Sequence, residues 1–132
     1  MKNNIIYIVG GILSVGLIFW ISQASSAPGK LDAFASCLDE KGVTFYGAFW
    51  CPHCASQQAL FGKSAKLLPY VECSTPDGQG QLAACRDKNI TNYPTWEFPP
   101  AVGTTSMSRI TGEVTLAQLT EMSGCPLPEG TI

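Results

Sequence analysis

The segment Val43-Thr-Phe-Tyr-Gly-Ala-Phe49 runs through Trp50 directly into Cys51-Pro52-His53-Cys54, and no other stretch restricts the fold so tightly. Its β-branched and aromatic residues read as a buried strand. Pro52 suits the first turn of a helix, where the missing N–H costs nothing. The chain is therefore expected to pass from a strand onto a helix that begins with Cys-x-x-Cys. A helix N-terminus presents free N–H groups and partial positive charge. A thiolate is stabilised in that position and becomes the attacking group at neutral pH. Cys51 holds it, and Cys54, one turn on, lies within disulfide reach as the resolving thiol. Attack by Cys51 on a disulfide gives a mixed disulfide that Cys54 releases, and the reverse sequence oxidises a dithiol.

What such a pair does depends on its compartment, which the N-terminus bears on. Ile5 to Ile21 carries no charged residue. As a helix it would extend about 26 Å, slightly under the roughly 30 Å hydrocarbon core of a bilayer. Trp20 falls where an interfacial aromatic sits, and Lys2 favours residues 1–4 inside with the following domain outside. An uncleaved signal-anchor is the expectation: a single-pass helix with the domain on the extracytoplasmic side of the cell membrane. The alternative is a signal peptide cut near Ala24-Ser25-Ser26-Ala27, giving a secreted or periplasmic protein. Both place the domain in an oxidising environment. Residues 22–30 read as a linker, 31–126 as the folded domain and 127–132 as a tail. The net charge is -2 and no basic stripe occurs, so nucleic acid is not an expected partner.

Periodicity sets out the domain. Leu31, Phe34, Ala35 and Leu38 make one helix face that stops at Gly42. Ala55 to Leu68 reads as a helix, Tyr70 to Cys73 as a strand and Leu82 to Lys88 as a short helix. Thr95 to Phe98 and Thr105 to Ile110 read as strands around a turn at Pro99 to Gly103. Thr115-Leu-Ala-Gln118 has the capping-box pattern and opens a last helix closed by Gly124. The order α-β-α-β-α-β-β-α implies an α/β domain: one mixed sheet with a parallel part, a final antiparallel hairpin, and helices on both faces.

Phe49-Trp50-Cys51-Pro52-His53-Cys54 resembles the active site of the thioredoxin superfamily, and its Cys-Pro-His-Cys form is similar to that of DsbA-type oxidases. Tyr93-Pro94-Thr95, 43 residues beyond Cys51, resembles the family's cis-proline loop. The resemblance implies a cis Pro94 against the redox pair and a substrate groove shaped by Trp50, Pro52, Tyr93 and Thr95. More narrowly, Phe45 to Cys54, Leu60-Phe-Gly-Lys63, Pro69-Tyr-Val-Glu-Cys73 and Tyr93-Pro-Thr-Trp96 together resemble the thioredoxin-like domains linked to vitamin K epoxide reductase homologues. That likeness covers nearly all of residues 31–124. It implies a separate membrane quinone reductase, of the vitamin K epoxide reductase or DsbB type, as partner. One departure stands out. The family often carries a buried acid six residues before the first active cysteine, and here that position is Phe45. Proton transfer at Cys54 is left to water.

His53, the only histidine, is expected to donate to the Cys51 sulfur or to add positive charge beside it. Either effect favours the reduced form and makes the disulfide more oxidising. Four further cysteines fit structural bridges: Cys73 with Cys85 across a glycine-containing loop, and Cys37 with Cys125 tying the first helix to the last. For the first pair a second redox couple is the alternative; for the second pair, free thiols or an intermolecular bridge are. A structural zinc site needs a second paired ligand set, so neither metal nor cofactor is expected. Three functions follow. The first is a disulfide oxidase acting on reduced or misoxidised exported proteins. The second is the same chemistry run as a reductase, isomerase or electron relay. The third is a membrane-tethered binding module that uses the fold as a scaffold.

Overall fold

The computed structural model describes residues 27–100 and 105–131, together with Gly11. The apolar run 5–21, apart from Gly11, lies outside these residues. Among the described residues no helix is long and apolar enough to cross a membrane.

Helix α1 (Asp32–Glu40) buries Phe34, Ala35 and Leu38, the face read from the spacing. It stops where the Gly42 N–H donates to the Asp39 carbonyl at 2.8 Å. Strand β1 (Thr44–Gly47) leads into α2 (Pro52–Ala59). The expected continuous helix to Leu68 is interrupted. Gly62 takes φ +52, a left-handed value that ends α-helical hydrogen bonding, and Gly62–Leu67 continues as a 3₁₀ segment. Strand β2 (Tyr70–Glu72), the single-turn helix α3 (Ala83–Arg86) and strand β3 (Thr95–Phe98) follow. The last strand, β4, runs Ser108–Thr111 and so begins three residues later than expected. Most of the expected turn before it (101–103) lies outside the described residues. Helix α4 (Leu116–Ser123) opens on a complete capping box: Thr115 accepts from the Gln118 N–H, and the Gln118 side chain accepts from the Thr115 N–H.

The strands form one sheet in the order β2-β1-β3-β4. β1 and β2 are parallel; β1 with β3, and β3 with β4, are antiparallel. Successive side chains in a strand face opposite sides, and here the two sides carry unequal layers. Phe45 and its register partner Trp96 stack at 4.5 Å. They belong to the main core with Phe34, Leu38, Phe61, Phe98, Val114 and Leu119, contributed by α1, β3, α4 and the segments between strands. Each fully buried apolar side chain of this size contributes about 1.5–3 kcal/mol. Tyr46 faces the other way into a smaller cluster with Cys73, Cys85 and Ile90. On that second side Glu97 is buried but paired: Arg109 Nε donates to it at 2.7 Å and the Tyr46 hydroxyl at 3.3 Å.

Both expected bridges are present. Cys37–Cys125 links α1 to the residue after Gly124, and Cys73–Cys85 links the end of β2 to α3. The C-terminal residues are not wholly detached from the domain, since Leu127 packs against the main core. Leu31 is likewise anchored, its N–H donating to the buried Ser64 hydroxyl at 3.0 Å.

Candidate active site

The strand-to-helix passage delivers both cysteines to one place. Cys51 is the N-cap residue of α2, with extended backbone (φ -80, ψ 116), and Pro52 occupies the first turn. Cys51 and Cys54 are both free thiols, in contrast to the four bridged cysteines. Both are buried, at 5% and 2% exposure.

Opposite the pair lies the loop before β3. The Tyr93–Pro94 peptide bond is cis, as the resemblance implies. It aims the Tyr93 carbonyl at the pair, and the Cys51 Sγ donates to it at 3.7 Å. Tyr93 also packs edge-on against Trp50, with ring centroids 6.0 Å apart. Trp50 is itself tied down by its indole N–H, which donates to the Ser74 hydroxyl at 2.8 Å. Tyr93 is fixed through its hydroxyl, which accepts from Gln81 Nε2 at 2.7 Å. Ser74 and Gln81 bracket the loop that the Cys73–Cys85 bridge closes, and they pair with each other across it. The small disulfide therefore braces the groove wall. Phe49 and Trp50 are 61% and 52% exposed, an apolar rim beside a buried sulfur.

Two of the expected site residues play different parts. Thr95 does not line the groove. It is the first residue of β3, opposite Tyr46 in register, and strand alternation sends its side chain to the far side of the sheet. There its hydroxyl donates to the Asn92 carbonyl at 2.8 Å. His53 does not reach the Cys51 sulfur. Its Nδ1 lies 2.7 Å from Glu113 Oε1, in the loop after β4, and the ring is largely exposed. The carboxylate outcompetes a thiol as hydrogen-bond partner, since bonds to ionised acceptors are the stronger. Pro52 is exposed beside the pair, as a groove residue should be.

The same loop after β4 fixes α2. Gln57 is fully buried. Its side-chain oxygen accepts from the Val114 N–H at 2.7 Å and its amide donates to the Val114 carbonyl at 3.0 Å. This two-way clamp satisfies a buried amide that would otherwise cost about 1–3 kcal/mol. Nothing in the local sequence marks Gln57 except its place one turn after Cys54 on the inward face.

On the inner side Cys54 meets β2. Gly47 pairs with Glu72 and Phe45 with Tyr70, so Tyr70 and Glu72 share the side of the sheet that faces α2. A Cβ on Gly47 would lie 2.6 Å from the Tyr70 ring and 3.0 Å from the Cys54 sulfur. Only glycine permits this approach. Burial pushes the Cys54 thiol up to about 12, against a hydrogen bond from the Ala48 backbone that lowers it. The neighbouring Cys51 and the Glu72 charge are part of the same upward shift. Cys54 is held as a protonated thiol at neutral pH. Sequence reasoning did not single out Tyr70 and Glu72 for the site. Their i, i+2 spacing on a short strand was the available signal, but the parallel register that sets them opposite Gly47 was not.

The mixed sheet, the dithiol at the start of α2 and the cis-proline before β3 together set out a site suited to thiol–disulfide exchange. The chain is similar to thiol-disulfide oxidoreductase LTO1 of Arabidopsis thaliana, with 41% identity over 112 residues, or 81% of this chain. It spans 27% of that relative's length. Among solved structures it is similar to thioredoxin O2 of Arabidopsis thaliana in the oxidized state, at a TM-score of 0.41 and 17% identity, covering 77% of this chain and 92% of that one. No protein-family model matches the chain.

Proposed function

We propose that this domain is an extracytoplasmic disulfide oxidase, held at the membrane by residues 5–21. It passes the Cys51–Cys54 disulfide to reduced exported proteins. A separate quinone-linked membrane reductase, of the vitamin K epoxide reductase or DsbB type, re-oxidises it. The observation that carries the reading is the buried free dithiol at the helix start, with the Tyr93 carbonyl on Cys51. The similarity to a thiol-disulfide oxidoreductase supports the same chemistry. The apolar rim of Phe49 and Trp50 suits unfolded or partly folded polypeptide, which exposes apolar side chains.

In the oxidising direction a substrate thiolate attacks Cys51 Sγ, the Cys51–Cys54 bond breaks, and Cys54 leaves with the electron pair and takes a proton. A second substrate thiolate attacks the substrate sulfur of the mixed disulfide. The substrate disulfide forms and Cys51 is released. Two electrons have then passed from the substrate to the domain.

One observation favours the reverse direction. His53 is paired with Glu113 and not with the Cys51 sulfur, which removes one of the expected stabilisers of the reduced form. A reductase or electron relay is thus the second reading. Equilibrium with defined glutathione mixtures separates the two. A potential near about -120 mV identifies an oxidase, and one near about -270 mV a reductase or relay. Replacing Cys51 by Ala tests the remaining possibility, because a binding module keeps its activity without the thiol.

A further inference from the structure

We propose that Tyr70 and Glu72 form a proton relay that serves Cys54, replacing the buried acid for which this chain has Phe45. The proposal rests on the thiol–disulfide exchange of the preceding section and assigns the path of its proton.

Four observations lead to it. Tyr70 and Glu72 lie on the same side of β2, in register with Phe45 and Gly47. The Tyr70 hydroxyl donates to Glu72 Oε2 at 2.8 Å, so a hydroxyl oxygen is left free to accept. The Cys54 sulfur and that hydroxyl lie 3.0 and 3.2 Å from one point, the place where a Cβ on Gly47 would stand. Finally, the carboxylate is fixed from its other oxygen. Glu72 Oε1 accepts from the Ser74 N–H at 2.8 Å and the Phe49 N–H at 3.3 Å. Those donors belong to the segments flanking the site, so the acid is aimed at it by the backbone. It is also half-buried, which leaves a route for the proton to solvent.

The groups that face Cys54 are few. Helix α2 supplies Cys51, β2 supplies Tyr70 and Glu72, and the loop before β3 supplies Tyr93 through its carbonyl on Cys51. His53 is turned to Glu113, and among the described residues α1 brings the apolar Phe34, Ala35 and Leu38 and the bridged Cys37 to the shared core. A thiol held near 12 by burial does not ionise unaided at neutral pH, so an acceptor within the site shortens the step.

With glutathione disulfide as the oxidant, the step balances as follows. The Cys51 thiolate attacks one glutathione sulfur, and the first glutathione leaves as thiolate. Cys54 then passes its S–H proton to the Tyr70 oxygen while Tyr70 passes its own to the Glu72 carboxylate. The Cys54 thiolate attacks Cys51 Sγ, the Cys51–glutathione bond breaks and the Cys51–Cys54 bond forms. The second glutathione leaves with the electron pair and takes a proton from solvent. Two electrons have moved from the dithiol to glutathione disulfide, and Glu72 returns its proton to water. In the opposite direction the same path protonates Cys54 as it leaves.

The test uses the full chain and glutathione disulfide, with formation and closure of the Cys51 mixed disulfide followed separately across pH. Glu72→Gln keeps the shape of the side chain, and Tyr70→Phe keeps the ring. Both are expected to slow closure about tenfold or more at pH 7, with the loss shrinking as pH rises. Formation of the mixed disulfide is expected to stay at the wild-type rate. Glu72→Gln carries a second readout: removing the negative charge lowers the Cys54 pKa, so a purely electrostatic role makes closure faster, not slower. Closure at the wild-type rate in either variant overturns the relay, and so does an equal slowing of mixed-disulfide formation, which marks a general structural effect. Normal wild-type exchange with unaltered variants removes the relay alone. A wild-type chain that never forms the Cys51–Cys54 disulfide removes the proposed function and the relay together.

Discussion

Cys51 and Cys54 stand on one helical turn with both thiols free, whereas Cys37 is bonded to Cys125 across 88 residues and Cys73 to Cys85 across 12. All six sulfurs are close to the core, so burial alone does not separate the two groups. Their surroundings do. Cys37 on α1 and Cys125 just beyond α4 are bonded to each other and pack against the main core. Cys73 and Cys85 hold the loop against which Trp50 and Tyr93 are fastened. The pair on α2 combines a backbone carbonyl on one sulfur, a tyrosine–carboxylate pair by the other, and an exposed aromatic rim outside. The comparison teaches that what surrounds a cysteine pair, more than its burial, separates a free dithiol from a structural bridge.

Substitutions that cross this division sharpen it. Cys51→Ala is expected to abolish exchange with a disulfide substrate while the circular dichroism spectrum is retained. Retained exchange breaks the division outright. Replacing Cys37 and Cys125 by Ser is expected to destabilise the chain by about 4.6 kcal/mol, from the entropy of the freed loop, with the exchange rate unchanged. Denaturant titration and a stopped-flow exchange assay read the two quantities. Replacing Cys73 and Cys85 by Ser costs less stability, about 2.8 kcal/mol on the same model. It should nevertheless raise the KM for a polypeptide substrate, because that bridge braces the groove wall. If the long-loop bridge alters exchange and the short-loop bridge does not, the assignment of roles is reversed. Gly47→Ala drives a methyl toward the Tyr70 ring and the Cys54 sulfur, and is expected to cost about 1–3 kcal/mol. The cost should fall mainly on the reduced chain.

The smallest effect is a pH dependence. The Cys54 thiol is raised from 9.0 to about 12 in the folded chain. Below the unfolded value both states hold the proton, and the full stability is present. As pH climbs from 9.0 toward about 12 the unfolded chain releases the proton while the folded chain keeps it, so stability falls. The reduced chain should therefore lose stability over this window relative to the oxidised chain, which lacks the thiol. Parallel stability curves for the two redox states contradict the burial of Cys54.

Much of this arrangement is local and was legible in the residues. Strand, Cys-x-x-Cys and helix are contiguous, so the redox pair needed no tertiary information. The capping box at Thr115 is likewise a three-residue relation. The Cys73–Cys85 bridge was legible from the short loop between its cysteines, whereas the Cys37–Cys125 pairing, left open by the residues, is set by the structure. What escaped was set by contacts distant in sequence. The partner of His53 is Glu113, 60 residues away, and the clamp on Gln57 is Val114. The apposition of Tyr70 and Glu72 with Cys54 depends on the parallel register of β1 and β2, which hydrophobic pattern does not encode. Thr95 was misplaced because a shared motif fixes the order of residues but not which side of a strand each one faces. The break at Gly62 was missed because apolar spacing continues through it, and a single glycine with positive φ overrides that pattern.

The central claim is that one cysteine pair is the redox couple and the other two are staples. It is tested most directly by titrating the full chain through glutathione mixtures and trapping thiols with an alkylating reagent before peptide mass spectrometry. The account expects Cys51 and Cys54 to pass together from alkylated to bonded, while Cys37, Cys73, Cys85 and Cys125 stay unmodified throughout. Alkylation of any of those four under conditions where Cys51 and Cys54 remain bonded contradicts it.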